Sequence, residues 1–130
     1  MDAGKRDIYA RYVLGLLNLS KCSSPRAAII VGREGRVDTV DEAISESIIP
    51  GKEYYGSPIF EVLVQFGTSR EGELFSSYFP TLEEFILLTS TRIRSVRYMG
   101  EIEDERTVQF LNAHTGLYPD DGFEIIKVQL

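Results

Sequence analysis

The sequence predicts a single α+β domain over residues 1–130: a mostly antiparallel sheet of four to six strands with two or three helices packed on one face. Three observations carry this. Lys5–Leu19 places Ile8, Tyr12, Leu16 and Leu19 on one helical face, with Tyr9, Val13 and Leu17 beside them. Short apolar stretches bounded by proline and glycine follow, as buried strands require. Thr81 and Glu84 then form a capping-box pattern that opens another helical segment.

After the first helix, Ser20–Pro25 is polar, and Pro25 cannot continue a helix. Arg26–Val31 is a nearly continuous apolar run, suited to a buried strand. Gly32-Arg33-Glu34-Gly35 reads as a turn, with Arg36–Val40 returning as a second strand. Residues 39–49 fit a short helix or an irregular arm, because Thr39 with Glu42 makes a capping box and Val40, Ile44 and Ile48 share helical spacing. A twisted polar strand is the other option. Pro50-Gly51 breaks the chain, and Lys52–Pro58 is a loop carrying Tyr54 and Tyr55.

Ile59–Phe66 gives the clearest strand pattern. Phe60, Val62, Val64 and Phe66 point one way, with Glu61 and Gln65 pointing the other and Leu63 between them. Gly67–Gly72 is a loop, and Leu74, Phe75, Tyr78 and Phe79 supply helical turns before Pro80. Leu82–Ser90 is a helix, and Arg92–Met99 is either its tail or a strand. Gly100–Arg106 is an acidic turn. Thr107–Leu111 and Phe123–Leu130 are strands joined by a loop, in which Pro119-Asp120-Asp121-Gly122 is good turn chemistry.

The side-chain inventory narrows function more than the pattern does. The chain holds one histidine, one cysteine and no tryptophan. Thiol relays and His/Cys zinc sites need more than that, so no cofactor and no metal are expected. A net charge of −6 argues against general nucleic-acid binding. The charged N-terminal segment does not read as a signal peptide, and apolar runs such as Phe85–Leu88 are far too short to span a bilayer. A lone cysteine suits a reducing cytoplasm.

Several groups are candidates for function. His114 lies six and seven residues before Asp120 and Asp121, an arrangement that could orient a general base or bind a small ligand such as a nucleotide. The competing reading is an exposed histidine in a turn-rich loop. Cys22 beside Lys21 has no base near it in sequence and reads as a bystander. Glu101, Glu103, Asp104 and Glu105 read as a solvated acidic turn. Arg92, Arg94 and Arg97 give residues 92–98 a charge of +3, against −4 over residues 101–105. These two runs either pair within the chain or join neighbouring copies, with the arginines facing Glu103, Asp104 and Glu105 of the next subunit.

The order of elements resembles the tail terminator and head–tail completion proteins of long-tailed bacteriophages. The residues that carry the likeness are Lys5–Leu19, then Pro25-Arg26-Ala27-Ala28-Ile29-Ile30-Val31-Gly32, then Arg36–Ile49. Phe60–Phe66, Gly67-Thr68-Ser69, Leu82–Ser90 and Phe123–Leu130 complete it. The resemblance implies a non-enzymatic structural subunit, a homo-oligomeric ring that contacts neighbouring virion proteins. The alternative is a protein that binds or hydrolyses a small ligand such as a nucleotide, using His114, Asp120 and Asp121.

Overall fold

The computed structural model describes residues 1–45, 56–102, 104–114 and 124–130. They form α1 (Ala3–Leu16), β1 (Ala27–Glu34), β2 (Val37–Ile44), α2 (Pro58–Phe66) and β3 (Glu71–Ser76). Then come α3 (Leu82–Thr89), β4 (Arg92–Tyr98), α4 (Glu105–His114) and β5 (Glu124–Lys127). The fold is α+β, as the sequence predicts. The sheet order is β2-β1-β3-β4-β5.

The sheet is mixed rather than mostly antiparallel. β1 runs antiparallel to β2 and β3, while β3–β4 and β4–β5 are parallel. Parallel neighbours need crossovers, and α3 supplies the one between β3 and β4. Helices also cover both faces of the sheet, not one. Ala28, Ile30, Leu74 and Val96 pack against Ile59, Val62, Leu63 and Phe66 of α2 and against Phe85 and Leu88 of α3. On the opposite face, Ala27, Ile29, Val31 and Phe75 pack against Ala10, Val13 and Leu16 of α1. β1 is therefore buried on both sides, which explains its unbroken apolar run.

α1 forms where the sequence predicts a helix but begins at Ala3 and turns a different face inward, with Ala10, Val13 and Leu16 buried and Ile8, Tyr12 and Leu19 exposed. The Asp2 side chain caps it, accepting a hydrogen bond from the Lys5 backbone N–H at 2.8 Å. Two tyrosines on α1 reach across to β2, where Tyr9 donates to Asp38 and Tyr12 to Glu42, both at 2.8 Å. Residues 39–44 belong to β2, so the expected short helix or arm does not form there. β1 also continues through Gly32 and Arg33 to Glu34, and the turn comes at Gly35, whose φ of +63° suits glycine.

The largest difference from the sequence reading is α2. Ile59, Val62, Leu63 and Phe66 are buried at i, i+3, i+4 and i+7, while Phe60 and Val64 face outward. The segment satisfies both periods, and its ends decide. Ser57 accepts from the Phe60 N–H at 2.9 Å, Pro58 occupies the first turn, and Gly67 closes the helix at φ +88°. Leu74 and Phe75 lie in β3 and face opposite cores, so they form no helical turn. Residues 107–111 belong to α4 rather than to a strand. Tyr54, Tyr55, Tyr118 and the turn at 119–122 lie outside the described residues.

Candidate functional site

α2 and α3 start beside one another, joined by a polar cluster. Thr81 caps α3 by accepting from the Glu84 N–H at 3.3 Å, and Glu84 Oε1 accepts from the Thr81 N–H at 2.8 Å. This is the capping box that the sequence predicts. The other carboxylate oxygen, Oε2, accepts from Ser57 Oγ at 2.5 Å and from the Tyr78 hydroxyl at 2.6 Å. Glu84 is only 7% exposed, and with three such contacts its carboxylate is well satisfied. Burial, reinforced by the charge and hydrogen bond of Glu84, pushes the Tyr78 hydroxyl far above the ordinary tyrosine value, so it stays a donor. The Arg26 guanidinium lies over the Tyr78 ring, 4.7 Å from its centroid.

A cleft of about 260 Å³ opens beside this cluster, lined by Arg26, Gly56, Ser57, Phe60, Thr81, Glu83, Glu84 and Leu87. It combines a guanidinium, two carboxylates, two hydroxyls and one aromatic face. Phe60 is 52% exposed. A second cleft, of about 380 Å³, shares Arg26 and is lined also by Ser77, Tyr78, Phe79 and Gly100.

The structure distributes the sequence-predicted candidates elsewhere. His114 is the last residue of α4, and Asp120 and Asp121 lie outside the described residues. The three arginines are on β4. Arg92 donates to the Ser69 carbonyl at 3.3 Å, and Arg94 pairs with Glu71 at 3.6 Å. Arg97 lies between Glu73 at 3.6 Å and Glu124 at 3.9 Å. Asp104 accepts from the Arg106 side chain and backbone N–H, which hold its carboxyl below the usual range. Glu105 sits in the first turn of α4, and Glu103 is outside the described residues. Cys22 is buried. The sequence reading did not single out Arg26, Ser57, Phe60 or Tyr78 as site residues, and it took Glu84 only as a cap. The signal that could have found the cleft was the pair of helix starts, Ser57-Pro58 and Thr81…Glu84.

No family model matches the sequence, and no curated protein matches it. Solved structures do. The dCMP deaminase from the cyanophage S-TIM5 in its apo form superposes with a TM-score of 0.68 at 14% identity, covering 98% of this chain and 100% of that one. Its complex with dCMP and dUMP gives 0.69 at 14% identity, with 98% and 99% covered. NE0047 in complex with 2,6-diaminopurine gives 0.50 at 14% identity, covering 91% of this chain and 71% of that chain. The chain has the fold of these proteins over nearly its whole length. That overturns the resemblance to tail terminator and head–tail completion proteins, and with it the expected structural subunit of a virion neck or tail. The likeness rests on the order of elements, and one of them, Phe60–Phe66, is a helix rather than a strand. No helix among the described residues is long and apolar enough to cross a membrane.

Zinc deaminases hold their metal with a His/Cys/Cys or Cys₃ set and add a non-ligating glutamate, in an H-x-E…P-C-x-x-C pattern. Pro80-Thr81-Leu82-Glu83-Glu84 keeps the second spacing, with Thr81 and Glu84 in the cysteine positions. α2 opens with Ser57-Pro58-Ile59-Phe60 and has no histidine there. With one histidine and one cysteine in the chain, neither ligand set can be assembled. Among the described residues, no three His, Cys, Asp or Glu side chains are grouped to hold a metal. The residues present do not fit a deaminase zinc.

Proposed function

We propose that the chain binds a nucleotide or nucleobase in the cleft between the starts of α2 and α3, without zinc-dependent deamination. The observation that carries this reading is the lining itself. Phe60 offers a half-exposed ring for stacking, Glu83 supplies a carboxylate acceptor, and Arg26 lines the same cleft with a guanidinium for an anion. A carboxylate suits ring N–H and exocyclic amino groups, and a guanidinium suits phosphate. The S-TIM5 enzyme, solved with dCMP and dUMP, and NE0047, solved with 2,6-diaminopurine, support the choice of ligand class.

Titration calorimetry with dCMP, dUMP and 2,6-diaminopurine tests it. Stacking on an aromatic side chain contributes about 1–3 kcal/mol per base, so Phe60→Ala should weaken binding at least fivefold. His114→Ala should leave affinity unchanged. No binding at millimolar ligand would refute the reading. Loss of binding in His114→Ala but not in Phe60→Ala would move the site to the His114, Asp120 and Asp121 segment.

Self-association belongs to the same reading. Phe60 and Val64 are one turn apart on the outer face of α2, and Val64 is 69% exposed. A partner helix could cover that face beside the cleft.

A further inference from the structure

We infer that Glu84, gripped by Ser57, Tyr78 and Thr81, is a metal-free clasp: it ties the start of α2 to the start of α3, as a zinc ion and its ligands would in a deaminase of this fold. The inference rests on the fold and on the donor set, not on the proposed ligand. Three observations meet at one point. Thr81 and Glu84 stand three residues apart after Pro80, in the spacing of the two cysteine ligands. Ser57, on the other helix, touches the same carboxylate at 2.5 Å, so side chains from both helix starts converge there. The carboxylate is buried and takes its protons from two hydroxyls and one backbone N–H.

The physical logic is substitution of charge. Two helix N-termini present partial positive charge and unpaired N–H groups to the same small volume. Zinc there needs anionic thiolates to offset both the metal and the dipoles. Without a metal, one carboxylate balances the two helix ends, and the hydroxyl protons of Ser57 and Tyr78 tie it in place. Tyr78 adds a second link, because its hydroxyl also accepts from the Ile59 N–H of α2 at 3.4 Å. The clasp thus shapes the cleft floor with no ion present.

Metal analysis and melting of the intact protein test this. Protein purified from zinc-supplemented culture should carry well under one equivalent of zinc, and a chelator should leave its melting temperature unchanged. Tyr78→Phe removes the hydroxyl from Glu84 and from the Ile59 N–H, and Ser57→Ala removes both the Glu84 contact and the α2 cap, so each should lower that temperature by roughly 6–11 °C. Glu84→Ala should lower it further. If Glu84→Ala does not fold, the two milder variants still decide. In a Ser57→Ala/Glu84→Gln double variant, the losses should be less than additive, because the pair shares one contact. The Ser57→His/Thr81→Cys/Glu84→Cys variant should gain a chelator-sensitive site, visible as the tetrahedral absorption of bound Co²⁺. Stoichiometric zinc in the natural protein, a chelator-induced drop in its melting temperature, or mild variants that melt like the parent would each overturn the inference. So would a folded triple variant that takes up no Co²⁺. None of these readouts involves a nucleotide, so a failure here is distinct from a failure of the proposed function.

Discussion

Gly32→Ala is the sharpest test of how α2 is seated. Phe66, the last residue of α2, lays its ring on the backbone of β1 and β3 where Gly32 and Gly72 face each other. A Cβ on Gly32 would stand 2.5 Å from Phe66 Cε2, 3.0 Å from Cζ and 3.1 Å from Thr39 Oγ1. Carbon atoms settle at about 3.5–4.0 Å, so the ring must retreat by roughly 1 Å. It has little room to do so. The Arg70 guanidinium lies over the same ring, 4.5 Å from its centroid, and Phe66 is buried. Overpacking of this kind costs about 1–3 kcal/mol. For a domain of this size that is a drop of roughly 4–12 °C in melting temperature. Calorimetry of Gly32→Ala, Phe66→Leu and the double variant measures it. The smaller leucine opens space for the new methyl, so the double variant should be more stable than the sum of the single losses predicts. An unchanged melting temperature in Gly32→Ala, or strict additivity, would refute the packing of Phe66 on these glycines.

Two further outcomes are expected. Burial pushes the Glu73 carboxyl up, but the Arg6 hydrogen bond and the charges of Arg6 and Arg97 outweigh it, leaving a net lowered value. A lowered folded value means stability that is present above the ordinary glutamate range and lost as pH falls through the lowered one. Glu73→Gln should therefore lower the melting temperature at pH 7 and flatten its decline on acidification; melting curves that stay parallel to the parent's at every pH would contradict this. Light scattering after size-exclusion chromatography should show a species larger than the 14.7 kDa monomer, reduced by Val64→Glu; a monomer at tens of micromolar would speak against self-association through α2.

The parts of the fold legible in the sequence are those where one period and one set of end signals agree. α1 is legible as a helix though not in its buried face, α3 has its capping box, and β1 has an apolar run between Pro25 and the sheet's far end. α2 was illegible by periodicity, because apolar residues at 59, 60, 62, 63, 64 and 66 satisfy a strand and a helix alike. Its start carries the answer, since a serine cap followed by proline favours helix. β3 failed for a different reason. Leu74, Phe75, Tyr78 and Phe79 have helical spacing, but the sheet buries both faces of β3, so adjacent apolar residues Leu74 and Phe75 serve two separate cores. Once β3 reads as helical turns and residues 107–111 of α4 read as a strand, the parallel pairings β3–β4 and β4–β5 vanish from view and the sheet looks antiparallel.

The site was hidden because its residues are ordinary one at a time. Ser57 and Thr81 are helix caps, Glu84 completes a capping box, and Tyr78 is a core aromatic with its hydroxyl satisfied. Local rules explain each of them without any ligand. What local rules do not explain is their convergence, since capping α3 requires only the Glu84 Oε1 contact and leaves Oε2 free to turn toward solvent. Instead Oε2 is turned inward to a second helix and a strand-end tyrosine. The scarcity of histidine and cysteine then acquires a specific meaning. At this junction the chain gathers hydroxyls and a carboxylate, which hold two helix starts and a cleft together, and the junction has neither the imidazole nor the thiolates that a His/Cys/Cys zinc site needs.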